Sequence, residues 1–481
     1  MSLRLALAAA AASILQCAAP ALSAEISDDP RVAARLRAAN AWLETYLGHE
    51  AVPAGSFAIV HDQKIVWASG YGVADINGQV PVNADTRYSI CSISKLFTSI
   101  AAMQLRDAGE IDLDAPIDNY LDWYAIKDKE GTDEPVTVRN ILSHVSGLPR
   151  ESDFPYWTTA DFPTIEAVRA RLQDQTELYQ PYDQYQYSNL GMTLLGEIVA
   201  ETSGQSYDAY IRREILDPLG MTSTTTDMPE ALHGGSLAVG YYDRNGKGER
   251  AAVSFYTTNG IAPAAGFASS VNDLAKFASW QFRLRENGGE EILERRTLRE
   301  MQRTHWTDPQ GSDYYWGLGF RANNVNGDVF WGHSGYCPGY RADLTMALAD
   351  KLAYIALVNV NDVGPANIAR QLHGLTAQSV REAADDPRRQ RRSKLARFEG
   401  VYANENFNWD QYIGFDGETL FSIELYTDRP ADSYTEYEQI SDTVFRERRD
   451  DGKVSDDMRF ELDDDGNVIK LWYHSNYLNR Q

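Results

Sequence analysis

Cysteine is scarce in this sequence, with 3 residues among 481. Two of them, Cys91 and Cys337, lie beyond the first 24 residues, and neither belongs to a Cys-x-x-Cys pair. So few thiols exclude a small disulfide scaffold, and the lack of paired spacing excludes a cysteine-rich zinc site. A chain of this length must therefore be stabilised mainly by its buried apolar side chains.

Positive charge is also under-represented, because 45 lysines and arginines face 69 aspartates and glutamates, for a formal net charge of −24. This balance repels polyanions, so nucleic acid is not expected as a partner. Long apolar runs are missing after residue 24, and we expect no membrane span in the mature protein. The charge itself says nothing about the fold.

The first 24 residues have the pattern of a signal peptide. Arg4 supplies the positive start, residues 5–15 are apolar, and residues 21–24 (Ala-Leu-Ser-Ala) form a small-residue exit. A membrane anchor is the alternative, but the apolar run is short and is interrupted by Gln16 and Pro20. We expect cleavage after Ala24 and a periplasmic or extracellular location.

The length of the chain predicts two folded units. Residues 25–380 alternate helical and strand patterns, with a helix at 31–47, a hairpin at 56–69, helices at 92–108 and 190–202, a buried strand at 354–360 and a closing helix at 366–380. Two further strands should flank a turn at Asn326-Gly327, one of them ending near Trp331. Residues 381–394 are charged and lack an apolar face, which is typical of a linker. Residues 395–481 contain strand-like runs at 411–415, 419–425, 443–446, 458–462 and 468–473 with turn signals between them, which predicts a small all-β domain.

Ser92-Ile-Ser-Lys95 is a Ser-x-x-Lys sequence at the predicted start of a helix. Residues i and i+3 share a helix face, so the Lys95 amine can lie beside the Ser92 hydroxyl and act as its base when burial and the helix dipole lower its pKa. The backbone N–H of Ser92 would be free to stabilise an oxyanion. The motif also occurs by chance in many chains, so its weight depends on other residues.

Two further short patterns accompany it. Tyr187-Ser-Asn189 stands just before an apolar helix, whereas the similar triplets at Tyr402 and Tyr477 lie in the predicted β domain, where packing or surface roles are expected. His333-Ser-Gly335 follows an aromatic strand pattern and fits a strand edge that faces a cleft, unlike the glycine-rich loop that holds His233. A lone histidine is more often structural than catalytic.

In this order, the three motifs resemble those of the serine β-lactamase and penicillin-binding-protein superfamily. The class C-like group is the most similar: D-Ala-D-Ala carboxypeptidases, D-aminopeptidases (peptidase S12-like), esterases and class C β-lactamases. The resemblance extends over residues 50–365 and includes the runs 86–98, 140–149, 215–221 and 338–340. It implies an α/β, transpeptidase-like fold with an antiparallel sheet flanked by helices and a helical subdomain, followed by a C-terminal all-β, lipocalin-like barrel. Tyr182 departs from the family pattern, because a glycine is usual there.

The resemblance also implies roles for the site residues. Ser92 would form an acyl-enzyme after losing its proton to Lys95 or Tyr187, and the backbone N–H groups of Ser92 and Tyr336 would hold the oxyanion. Asn189 would orient Lys95 and a substrate amide, Gly335 would line the substrate site, and His333 would bind a carboxylate or relay a proton. No metal or cofactor is implied.

The third motif has His333 at the position where β-lactamases usually have lysine. This histidine favours a peptidase or esterase that acts on small D-amino-acid peptides or esters. The alternatives are a class C-like β-lactamase and a penicillin sensor that is acylated without turnover. The partner would be a small molecule or short peptide, and the oligomeric state is left open.

Cys91 and Cys337 border the first and third motifs, which face each other in the family. In an oxidising compartment these two cysteines can form a disulfide, but only if their Cα atoms lie within about 7 Å of each other. A helix start and a strand edge that flank a cleft are expected to lie farther apart. We therefore predict two free thiols.

Overall fold

The structure is a computed structural model that describes residues 25–128, 134–307, 314–325, 327–388, 393–404, 406–449, 451, 453 and 455–481. The expected signal peptide, residues 1–24, and Asn326 of the expected turn lie outside these ranges. The helices are α1 (Pro30–His49), α2 (Ser94–Asp107), α3 (Val138–Leu142), α4 (Tyr156–Thr159), α5 (Ile165–Leu172), α6 (Asn189–Ser203), α7 (Tyr207–Ile211), α8 (Ala262–Ala265), α9 (Val271–Asn287), α10 (Arg295–Met301) and α11 (Pro365–Asp385).

Ten strands precede the C-terminal region. They are β1 (Ala54–His61), β2 (Lys64–Gly72), β3 (Tyr88–Ser89), β4 (Ala268–Ser269), β5 (Trp306–Thr307), β6 (Tyr314–Trp316), β7 (Arg321–Val325), β8 (Asp328–Cys337), β9 (Tyr340–Ala347) and β10 (Leu352–Val358). Eight of them form an antiparallel sheet in the order β2-β1-β10-β9-β8-β7-β6-β5, and β3 pairs with β4. The predicted hairpin at residues 56–69 is β1–β2, and the predicted buried strand is β10.

The sheet is covered on both faces, and β10 shows how. Leu352, Tyr354 and Ala356 belong to a core shared with α1 and α11. Ala353, Ile355 and Leu357 belong to the core shared with α2, α6 and α9. Because successive strand residues point to opposite faces, a strand between two helical layers is apolar at every position. This arrangement confirms the sheet flanked by helices that the resemblance implied.

The helices α2 and α6 form the centre of the helical subdomain, and both end as the sequence predicts. Gly109 and Gly204 follow them with φ values of +77° and +66°. Glycine adopts this left-handed conformation without steric cost, so it ends a helix. At the start of α6, the Ser188 hydroxyl accepts the N–H of Gly191 at 2.8 Å and caps the helix.

The C-terminal region is a closed eight-stranded barrel, which confirms the predicted all-β domain. Its interior is filled by apolar side chains that include Phe398, Tyr402 and Phe460. Three strands, β11, β14 and β18, were absent from the sequence-based expectation, because their alternation is interrupted by polar residues. The barrel strands are β11 (Gly400–Asn404), β12 (Phe407–Phe415), β13 (Leu420–Glu424), β14 (Thr435–Gln439), β15 (Val444–Glu447), β16 (Asp457–Leu462), β17 (Val468–Tyr473) and β18 (Asn476–Arg480).

The junction between the two regions differs from the expected linker at 381–394. Helix α11 continues to Asp385, because Ala383 is still buried in the core on that face of the helix. The barrel also contributes Tyr412, Phe421 and Ile423 to the core of α1 and α11. The two regions therefore share buried apolar surface.

Candidate active site

Ser92 lies in a 3-10 turn, Cys91–Ile93, that leads directly into α2. The preceding residue, Cys91, has a φ of +49°, so the chain turns sharply before the serine. Lys95 lies one turn later and is fully buried, and its Nζ is 3.2 Å from the Ser92 Oγ. The structure thus brings the two residues of the Ser-x-x-Lys motif together.

Two other oxygens surround the Lys95 amine. Its Nζ donates to Asn189 Oδ1 at 2.8 Å and to the Ala264 carbonyl at 2.7 Å. Burial holds the pKa of Lys95 well below its usual value, and Arg150 lowers it further while Glu151 opposes the shift. A neutral amine has two N–H donors, which these two acceptors satisfy. Its lone pair is then left for the Ser92 hydroxyl.

Tyr187 completes the cluster around Ser92. Burial raises the pKa of its phenol, and the neighbouring Ser92 side chain and Arg150 lower it. The net effect is an increase, so the phenol stays protonated at neutral pH. Its ring centre lies 4.8 Å from the Lys95 Nζ.

Glu151 belongs to the site and was not identified from the sequence. Its two carboxylate oxygens accept the Asn189 Nδ2 at 2.9 and 3.0 Å, and the Tyr156 hydroxyl donates to the same carboxylate. This contact sets the orientation of the Asn189 amide, so that Oδ1 faces Lys95. The available signal was its position immediately after the family-like run at 140–149.

His333 lies inside β8, which corrects the expectation of a strand that ends near Trp331. The strand continues to Cys337 because it pairs with β9 along that length. The His333 Nδ1 lies 2.7 Å from the Ser334 carbonyl oxygen, which can only accept, so Nδ1 carries the proton. Burial lowers the His333 pKa well below its usual value, with Arg321 and Lys95 adding to the effect. Its Nε2 is an acceptor without a partner among the described residues.

Gly335 and Tyr336 lie on the part of β8 that approaches the nucleophile. A Cβ at Gly335 would stand 2.2 Å from the Ile90 carbonyl oxygen, so only glycine allows this approach. A two-residue turn joins Cys337 to Tyr340, so these two residues form a hydrogen-bonded pair between β8 and β9. Hydrogen-bonded and non-hydrogen-bonded pairs alternate along antiparallel strands, so the backbone N–H of the neighbouring Tyr336 points away from β9. Strand β7 pairs with residues 328–332 of β8, so on that side residues 333–337 have no strand neighbour in the described chain.

The prediction of two free thiols is wrong in this structure. Cys91 and Cys337 form a disulfide, with their Cα atoms 5.8 Å apart. The expected separation was too large because Gly335 lets β8 pack directly on the backbone that precedes Ser92. The disulfide therefore joins the nucleophile turn to the strand that carries His333 and Tyr336.

Two cavities share Ser92, Arg150 and Tyr336 as lining residues. One has a volume of about 520 Å³ and is also lined by Glu151, Asp243 and the rim aromatics Trp157 and Tyr242. The other has a volume of about 400 Å³ and is also lined by Arg321, Arg341 and His333. Neither Arg321 nor Arg341 has a carboxylate within ion-pair distance in the described part of the chain. Ser92 thus borders one cavity lined by Asp243 and by the Glu151 carboxylate, which pairs with Arg150 at 3.2 Å. The other cavity is lined by two guanidinium groups that lack a carboxylate partner in the described residues.

The other candidate triplets lie elsewhere. Tyr402 is buried in the barrel, and Asn404 donates to the backbone carbonyl of Tyr477 at 3.2 Å, which gives both triplets structural roles. His233 packs edge-on against Phe255. Tyr182, where the family usually has glycine, has a φ of +71° and an exposed side chain.

The described residues contain neither a candidate membrane span nor a candidate metal cluster. No helix there is long and apolar enough to cross a membrane. No group of three or more histidine, cysteine, aspartate or glutamate side chains in those residues could hold a metal ion.

Comparison with known proteins agrees with this architecture. The Beta-lactamase family model matches residues 39–378. Among curated proteins, "Beta-lactamase-like protein 2" of Dictyostelium discoideum is 35% identical over 175 residues, covering 35% of this chain and 32% of the relative. The chain spans about a third of the length of the curated relatives it matches.

Solved structures share the fold at low sequence identity. The octameric penicillin-binding protein homologue from Pyrococcus abyssi has a TM-score of 0.63 and 24% identity, covering 92% of this chain and 99% of its own. The D-amino acid amidase from Ochrobactrum anthropi SV3, solved with D-phenylalanine, has a TM-score of 0.57 and 23% identity, covering 73% of this chain and 99% of its own. With the family model matching most of its length, this chain belongs to the Beta-lactamase family, within the superfamily of serine β-lactamases and penicillin-binding proteins.

Proposed function

We propose that this protein is an exported serine hydrolase that cleaves amide or ester bonds of small D-amino-acid peptides or esters through an acyl-enzyme on Ser92. The observation that carries the proposal is the Lys95 amine, which is buried, 3.2 Å from the Ser92 Oγ, and satisfied elsewhere by two acceptors. A serine hydroxyl beside a buried lysine of lowered pKa is an activated nucleophile, because the neutral amine can take its proton.

In this reaction Lys95 takes the Ser92 proton as Oγ forms a bond to the substrate carbonyl carbon. The raised pKa of Tyr187 keeps its phenol protonated, so we assign it the relay of that proton to the leaving group. The N–H groups of Ser92 and Tyr336 hold the oxyanion, and one such donor contributes about 3 kcal/mol of transition-state stabilisation. The leaving group departs with the relayed proton, and water then hydrolyses the ester on Ser92.

The two cavities support a substrate with charges of both signs. The Asp243 carboxylate in one cavity favours an ammonium group, since the Glu151 carboxylate there already pairs with Arg150. Arg321 and Arg341 in the other cavity favour a carboxylate. His333 is unsuited to binding a substrate carboxylate, because its Nε2 carries a lone pair and no proton and therefore cannot donate a hydrogen bond. The likeness to a D-amino acid amidase solved with D-phenylalanine supports the D configuration.

A matched substrate panel tests the proposal. Each enzyme molecule should turn over D-Ala-D-Ala many times. The C-terminal amide and the N-acetyl derivative of this dipeptide should react more slowly, and the L,L isomer should react slowest. Arg321→Gln should raise KM for D-Ala-D-Ala and leave KM for its C-terminal amide unchanged. A p-nitrophenyl ester reports esterase activity and nitrocefin reports β-lactamase activity.

The outcomes distinguish the alternative functions. Release of a single equivalent of product indicates a non-turnover sensor, and nitrocefin as the fastest substrate indicates a β-lactamase. Ser92→Ala should abolish turnover. Ser334→Ala, which removes a hydroxyl that lines the same cavity and accepts from Arg321 at 3.0 Å, should retain turnover with a raised KM. Equal turnover by Ser92→Ala would contradict the proposal.

Export is tested separately by the N-terminus of the mature protein. Cleavage after Ala24 leaves Glu25 as the first residue, three residues before Asp28 at the end of the first 3-10 turn. N-terminal sequencing of protein from the cell envelope or the medium should start at Glu25. An intact leader on cytosolic protein would contradict export.

A further inference from the structure

His144 contacts the loop at residues 186–188 at three points, and no step of the proposed reaction uses His144. Its backbone carbonyl accepts the Gln186 N–H at 2.8 Å, and its ring Nδ1 accepts the Ser188 N–H at 3.4 Å. These two donors flank Tyr187 in the sequence. The His144 ring also stacks on the Tyr187 ring, with centroids 4.4 Å apart and planes inclined by 35°.

The backbone and the surroundings of His144 fix this geometry. The residue is almost fully buried and has a φ of +56°, a conformation that is costly for a residue other than glycine. The edge of Trp316 packs against the same ring, at a centroid distance of 5.0 Å and an angle of 89°. Burial, with Lys95 and Arg150, lowers the pKa of His144, so the ring is neutral and Nδ1 can accept.

We infer that His144 is a positioning residue for Tyr187, holding the backbone on both sides of it and the face of its ring so that the phenol meets Ser92. This inference rests on the proposed role of Tyr187. The neutral ring has one proton, on Nε2, because Nδ1 accepts. Nε2 has no partner in the described residues, so the ring's polar contact with its surroundings is the one to Ser188.

Two substitutions separate the contributions of the ring. His144→Asn places an amide oxygen near the position of Nδ1 and tolerates a positive φ, so it keeps the acceptor and removes the stacking. His144→Phe keeps an aromatic ring against Tyr187 and removes the acceptor. His373→Phe is the matched control, because His373 is a half-buried histidine that packs on Phe330 and Tyr354 in the core of α1 and α11.

The test is a double-mutant cycle with Tyr187→Phe, read as kcat and KM for D-alanine p-nitroanilide, because an amine leaving group needs the proton that Tyr187 relays. Labelling of Ser92 by a fluorophosphonate checks the nucleophile separately. His144→Phe should lower kcat about 10- to 100-fold with little change in KM, because a displacement of about 1 Å in a catalytic group has that effect. In the Tyr187→Phe background it should lower kcat less than about threefold. His144→Asn should recover most of the loss, and His373→Phe should show none.

The inference would be overturned if His144→Phe lowered kcat by the same factor in the wild-type and Tyr187→Phe backgrounds. It would also be overturned if His144→Asn were as slow as His144→Phe. Circular dichroism checks that each variant is folded. If His144→Phe is not, His144→Gly, which accepts the φ of +56° and removes the ring, is taken through the same cycle. Absence of Ser92 labelling in the wild-type protein would instead contradict the proposed function, so the two failures are distinguishable.

Discussion

Replacing Gly335 by alanine should separate the third motif from the nucleophile. The added Cβ would stand 2.2 Å from the Ile90 carbonyl oxygen and 3.0 Å from the Cys91 Cβ, and the first of these atoms is backbone. Heavy atoms in contact need roughly 3 to 4 Å, so strand and nucleophile turn must move apart by about 1 Å. The disulfide between Cys91 and Cys337 resists that movement.

The expected magnitudes follow from that displacement. Overpacking of this kind lowers the free energy of unfolding by about 1–3 kcal/mol. A shift of about 1 Å between Ser92 and the Tyr336 N–H should reduce the acylation rate about 100-fold. The loss should appear in kcat rather than KM, because the oxyanion forms in the transition state and not in the substrate.

Burst kinetics with a p-nitrophenyl ester measure acylation, and urea unfolding measures stability. Gly48→Ala is the matched control, because a Cβ at Gly48 in α1 has no atom within 4 Å. It should leave the acylation rate unchanged and should not lower the free energy of unfolding, because alanine is a better helix former than glycine. Acylation by Gly335→Ala at the wild-type rate would refute the argument that this approach holds the oxyanion site together.

Because burial lowers the pKa of Lys95 well below 10.5, kcat/KM should rise with pH as the neutral amine forms and reach its plateau well before pH 10.5. A pH–rate profile that begins to rise only near pH 10 would contradict this. Thiol titration of the unfolded, unreduced mature protein should find no reactive thiol, since Cys91 and Cys337 are joined; two thiols per chain would contradict the structure. A variant that ends at Pro387 should melt at a lower temperature than the whole chain, because it loses the barrel side chains in the core of α1 and α11, and equal melting temperatures would show that the barrel does not stabilise the hydrolase domain.

Much of the fold could be predicted from local patterns. Residues 31–47 show helical spacing after Asp29-Pro30, and the structure has α1 there with the Asp29 side chain capping it. Gly109 and Gly204 marked the ends of α2 and α6. The polar strands of the barrel were missed because closure of the barrel, rather than apolar alternation, holds them in place.

The candidate site could be predicted where residues that are close in the sequence are also in contact in the structure. Ser92 and Lys95 are one helical turn apart, so their contact follows from local geometry. Glu151 reaches Asn189 through a loop, and no local period places a loop carboxylate. The disulfide was missed for a related reason, since the close approach of Gly335 to Ile90 depends on the packing of two distant segments.

The central claim is that Ser92 carries the acyl group, and intact mass spectrometry of the fluorophosphonate-treated protein tests it most directly. The wild type and Ser334→Ala should each gain one adduct, mapped to the peptide that contains Ser92, and Ser92→Ala should gain none. A Ser92→Ala protein that is labelled as fully as the wild type would contradict the account.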